Sequence, residues 1–193
     1  MSSIRFASVV TSVASALVAT SATTAAIIDF TVTGVASGEW KSGIYQGQTF
    51  SNKAFTLTAR ALTENVNPFP GNSSIVLNDS AGLALEGYGD VSVTSTTTNF
   101  VSRDQSAGGM GVGLTGLFSG LPNDAFANWY MQTSLGPVTG TVTWTPNDLG
   151  TSLGNVRFSG TSVISYTAIV APAPGAIALV GLAGLAGSRR RRA

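Results

Sequence analysis

At 193 residues with 44% hydrophobic content, the chain has room for one domain with its own core and little more. The formal charge is +1, yet Arg5, Arg189, Arg190, Arg191 and Arg192 lie at the extremities, so Lys41, Lys53, Arg60, Arg103 and Arg157 face all nine acids and the body is mildly acidic. This argues against a nucleic-acid partner, which needs a basic footprint, and the absence of Cys and His removes disulfides, thiol nucleophiles, His-based catalytic pairs and nearly all zinc, copper or haem ligation.

In chain order, "MSSIRFASVVTSVASALVATSATTAA" has one early cation, Arg5, then a mildly apolar run from Phe6 to Ala19, then small residues. That is the layout of a secretory signal, a helix in transit, spanning 1–26 with cleavage expected after Ala26. From Ile27 to Val170 the pattern has a period of two. "IIDFTVTG" sets Ile28, Phe30 and Val32 against Asp29, Thr31 and Thr33, and "AFTLTAR" sets Phe55, Leu57 and Ala59 against Thr56, Thr58 and Arg60. "VTGTVTWTP" and "NVRFSGTSVISYTAIV" follow the same rule, with Val138, Val142, Trp144, Val156, Phe158, Ile164, Tyr166, Ala168 and Val170 on the apolar side. Each reads as a half-buried strand.

Between them, "NVNPFPGNSS", "NDSAG", "EGYGD", "LPND" and "TPNDLG" supply turn residues. "AGGMGVGLTGLFSG" lacks the Lys of a phosphate loop and reads as a flexible or strand-edge segment. "LPNDAFANWYM" predicts a single helical turn starting near Asn123 or Asp124. The expectation is an all-β domain over 27–170: an antiparallel β-sandwich, jelly-roll-like, of about eight to ten strands.

The chain closes on "APAPGAIALVGLAGLAGSRRRRA", residues 171–193. The apolar run Gly175 to Gly187 would span about 20 Å as a helix, short of the ~30 Å hydrocarbon core, and the terminal arginines would stay cytoplasmic. A hydrophobic C-terminal helix that is by itself a marginal membrane anchor is therefore expected. Pro172-x-Pro174, a short apolar helix and the basic cluster Arg189, Arg190, Arg191 and Arg192 together resemble the PEP-CTERM sorting signal, with Ala173 where the family's motif carries Glu. The resemblance implies an exosortase-type membrane transpeptidase as partner, only transient anchoring in the membrane by the C-terminal helix, export to the cell envelope or exterior, and association with exopolysaccharide or biofilm material. "DAFANWYMQTSLGPVTGTVTW" is also similar to the late strand, turn and strand of secreted β-sandwiches that carry such tails.

Candidate chemistry in the body is sparse. Trp40, Tyr45, Trp129 and Tyr130 are candidate sugar-binding aromatics, and a carbohydrate-binding module would set at least two of its aromatics coplanar on one sheet. Adjacent Trp129 and Tyr130 would point to opposite faces of a strand. Glu86 and Asp90 in "LEGYGD" are the best local carboxylate pair for a glycan hydrolase or lyase, although Gly87 and Gly89 favour a turn. Asn78, Asp79, Glu86 and Asp90 could gather oxygens for calcium, but not at EF-hand spacing. No catalytic residue, metal or cofactor is assigned.

Overall fold

The computed structural model describes residues 26–171, an all-β fold of antiparallel strands. The expected signal helix and C-terminal hydrophobic helix lie outside the described residues, as do Pro172, Ala173, Pro174 and Arg189, Arg190, Arg191 and Arg192. No helix among the described residues is long and apolar enough to cross a membrane.

Alternation drives the first hairpin. In β1 (Ile27–Trp40) and β2 (Thr49–Leu62) alternate positions are buried, except at Gly34 and through Ser51 to Ala54, and the register runs from Ile27↔Leu62 to Glu39↔Thr49 with one irregularity between Ala36 and Gly38. Burying one such side chain, Phe30 or Leu57, contributes about 1.5–3 kcal/mol. A 3₁₀ turn at Thr63–Asn65 carries the chain to a second sheet and the hairpin β3 (Val66–Phe69) and β4 (Ser73–Leu77). Hairpin β5 (Ser80–Leu85) and β6 (Gly89–Ser92) returns to the first sheet. β7 (Thr97–Ser102), β8 (Ala107–Val112), β9 (Thr115–Gly116) and β10 (Leu121–Pro122) complete the second. After a 3₁₀ turn at Asp124–Phe126, β11 (Leu135–Thr143), β12 (Leu149–Thr151), β13 (Gly154–Ser159) and β14 (Thr161–Ala171) complete the first.

The first sheet has eight strands along the path β11-β14-β1-β2-β5-β6, with β13 on the far half of β1 and β12 on β13. The second has six along β10-β8-β7-β4-β3, with β9 on β8. The strand count exceeds the expected eight to ten because β9, β10 and β12 are two or three residues long and β3 and β6 only four, too short for alternation to register. The architecture is sandwich-like, and its sheets curl. Val93 bridges Thr151, the Thr94 N–H donates to the Gly150 carbonyl (2.8 Å) and the Ser152 N–H to the Ser92 carbonyl (2.8 Å). Through these bonds β1, β2, β5, β6, β12 and β13 form a closed ring, which leaves β6 without a free edge there. At the opposite side Phe118 bridges Trp144, and the Ser119 N–H donates to the Thr143 carbonyl (2.9 Å), joining the second sheet to the end of β11.

One continuous apolar core fills the body. Trp144 stacks on Phe158 at 4.5 Å, and aromatic contacts run from there through Phe50 and Tyr88 to Trp40. At the other end Phe126, Trp129 and Phe30 surround Tyr166. The turn expected at "LPNDAF" forms, with Asn123 Oδ1 accepting the Ala125 N–H at 2.9 Å. The glycine-rich run is not a flexible edge: β8 lies between β7 and the β9/β10 flank, and Gly108, Gly109, Met110 and Gly111 are buried. Glycine is required there because Phe126 packs directly on Gly108, and the rings of Phe118 and Phe100 would come within 2.8 and 2.9 Å of a Cβ at Gly109.

Candidate functional site

The outward face of the second sheet carries a groove of about 340 Å³. Its floor follows from strand register. Ile75 of β4 pairs with Phe100 of β7, which pairs with Gly109 of β8; one step along, Phe69 of β3 pairs with Ser73, and Ser73 with Ser102. Side chains of one row share a face, so Ile75, Phe100, Phe69 and Ser102 face outward together. Because Gly109 and Gly116 have no side chain, the Phe100 ring lies over the backbone of β8 and β9.

Two lips rise from this floor. Phe69 is 47% exposed on the edge strand β3, and Leu114, in the turn between β8 and β9, is 78% exposed. The polar lining divides by availability: Thr98 Oγ1 donates to the Gly113 carbonyl, Thr115 Oγ1 to that of Val112 and Ser73 Oγ to that of Gly71. The Ser102 hydroxyl and the Gln105 carboxamide make no side-chain hydrogen bond among the described residues. No acidic or basic side chain lines the groove.

The aromatics singled out in the sequence do not assemble into a sugar platform. Trp40 is fully buried at the closed end of the strand ring, 5.4 Å from both Tyr45 and Tyr88, and its Nε1 has no hydrogen-bond partner among the described residues. Tyr45 is half-buried against it, contributed by the β1–β2 loop as Tyr88 is by the β5–β6 turn. Trp129 is a core residue whose Nε1 donates to the Thr133 carbonyl at 2.8 Å. Tyr130 is exposed, but the Arg103 guanidinium lies 4.3 Å from its ring centre. Arg103 is buried and also donates to Asn72 Oδ1 (3.0 Å) and Ser74 Oγ (2.8 Å), so Tyr130 serves as its cover. Trp129 and Tyr130 take opposite environments as expected, though the segment is irregular rather than a strand.

The carboxylate pair singled out in the sequence, Glu86 and Asp90, lines one open groove of about 350 Å³ on the first sheet. Glu86 lies in the turn between β5 and β6, with Gly87 and Gly89 at positive φ on either side of Tyr88. The Ala54 N–H donates to Glu86 Oε2 at 3.1 Å, and Lys53 Nζ lies 3.5 Å from Oε1. The backbone bond first, and the Lys53 charge second, hold the Glu86 carboxyl below its ordinary range. A general acid needs the opposite shift. Asp90 pairs with Ala84 on the outward face of the first sheet. Asn78 is spent in a buried chain, accepting from Asn99 Nδ2 at 2.9 Å and donating to Thr97 Oγ1 at 3.0 Å, so it is not free to join Asp79, Glu86 and Asp90 around calcium. Among the described residues no group of three or more acids stands at metal-binding distance.

Ala26, the expected last residue of the signal, is half-buried, and its carbonyl accepts the Thr63 N–H at 2.9 Å. The groove residues escaped sequence reasoning: Phe69 lies in "NPFPG", which reads as turn punctuation, and Phe100 and Leu114 become neighbours only through the register of β7, β8 and β9. Comparison of the chain with models of known protein families, with curated proteins and with solved structures finds no match in any of the three.

Proposed function

We propose that the chain is an exported, non-enzymatic protein of the cell envelope or extracellular matrix, sorted by an exosortase-type system and associated with exopolysaccharide or biofilm material. The observation that carries this reading is that the residues next to the two sequence addresses meet in the described body. β1 opens at Ile27 and β14 closes at Ala171, immediately inside the two sequence addresses, and these residues are register partners on neighbouring strands. Both addresses therefore join the body at one pole. A body tethered there by Gly175 to Gly187 would hang from the membrane by that pole until the tail is exchanged. Against the hydrolase alternative, Glu86 is held as a carboxylate by Ala54 and Lys53, which suits it poorly to the general-acid role.

The test is intact mass with terminal peptide mapping of the protein from its native cells, in membrane and extracellular fractions. Loss of the leader up to Ala25 or Ala26, together with everything beyond about Pro172, is expected outside the cell. Replacing Pro172 and Pro174 should leave an uncleaved, membrane-retained form. An extracellular form that keeps Arg189, Arg190, Arg191 and Arg192 would overturn the proposal.

A further inference from the structure

We infer that the groove between Phe69 and Leu114 is a binding site for a sugar unit of an uncharged glycan. The inference rests on the groove alone and not on the sorting tail. Its volume, about 340 Å³, falls within the range of small-ligand sites, roughly 300–1,000 Å³. Two large apolar side chains stand exposed on its lips while Ile75 and Phe100 form a continuous apolar floor between them.

The chemistry of the lining selects the ligand class. No charged side chain lines the groove, so an anionic or cationic ligand would shed its hydration with no counter-charge in return. The free groups are a hydroxyl, Ser102, and a carboxamide, Gln105, which together offer neutral donors and acceptors to a ligand edge. An acyl chain would bury both without partners, at the cost of an unmade hydrogen bond for each. A pyranose satisfies both demands, because one face presents C–H groups to an apolar floor while its rim presents hydroxyls. Phe100, laid over the glycines of β8 and β9, supplies that floor, and Phe69 supplies a wall at the open edge of the sheet.

The protein purified from its own cells should be retarded in native gels containing dextran, laminarin or hydroxyethyl cellulose, at least one of the three, and not in gels containing alginate. Phe69→Ala and Gln105→Ala, both at exposed positions that leave the core untouched, should each weaken that retardation roughly tenfold. Val163→Ala, at an exposed position of β14 in the first sheet, should leave it unchanged. The urea midpoints of the groove variants report whether the fold is intact. Retardation by none of the three glycans, retardation by alginate alone, binding that both groove variants leave intact, or Phe69-dependent dimerisation in sedimentation without glycan binding would each overturn the inference. Failure here leaves the terminal processing measured above unaffected, and failure there leaves this binding unaffected.

Discussion

One phenol links the two sheets through the core. Tyr166 on β14 is fully buried, and its hydroxyl donates to Asn99 Oδ1 on β7 at 3.1 Å; Asn99 then donates to Asn78, and Asn78 to Thr97. Every member of this chain is matched, as buried polar networks must be. Tyr166→Phe leaves Asn99 Oδ1 without its donor inside the core, so urea denaturation should show a loss of about 1–3 kcal/mol. Burial also pushes the Tyr166 phenol well above its usual range. The folded state therefore holds this proton more tightly than the unfolded state. The stability it contributes is fully present below the unfolded phenol's ordinary value of ~10 and is lost as pH rises beyond it toward the folded value. The difference between wild-type and Tyr166→Phe stability should accordingly shrink with rising pH above that point, and a difference that stays constant would remove Tyr166 from the alkaline transition. Alternation in "VISYTA" places Tyr166 inward from sequence alone. Its partner was not legible, because Asn99 lies 67 residues away and meets it only after both sheets have formed.

Among the elements, legibility followed side-chain contrast. Where Thr or Ser alternates with a large apolar residue, as in β1, β2 and β14, the buried face is Ile28, Phe30, Val32, Leu57, Ile164 and Tyr166, as the pattern predicts. β8 gave no such signal. Half of its six residues are glycine, Gly108 on the inward row and Gly109 and Gly111 on the outward one, so a central strand looked like a flexible run. The glycines are there for the rings that cover them, Phe126 on one face and Phe100 with Phe118 on the other. Gly108→Ala sets a methyl against three atoms of the fully buried Phe126 ring, which has no room to withdraw. The expected cost is about 1–3 kcal/mol by urea denaturation. Gly87→Ala meets no neighbour, and its cost arises only from its positive φ of 90°. Substitution of Gly108 without measurable loss would mean that Phe126 can move and that β8 is less tightly packed than its register implies.

At the scale of the whole molecule the question is whether two sheets behave as one cooperative unit. The first strand pairs with both the second and the last, Ile28 with Ala61 on one side and Val170 on the other, so the ladder cannot finish until the ends of the body have met. The ring through β6 and β12 then seals one end, and the link from Ser119 to Thr143 fastens the second sheet to the first. Three buried tryptophans sample this arrangement at separated points: Trp40 within the sealed ring, Trp144 where the second sheet meets β11, and Trp129 beside Tyr166. Since one continuous core joins them, no part can open without exposing apolar surface that the rest still buries. Variants retaining one tryptophan each, the others replaced by Phe, will differ in stability because each loses core packing. Within any one variant, however, the fluorescence transition in urea should coincide with the loss of strand signal by circular dichroism. If the Trp40-only variant instead completes its fluorescence change at lower urea than its circular dichroism, the sealed ring is a separate unit, and the hydrogen bonds joining β6 to β12 are too weak to couple it to the remainder.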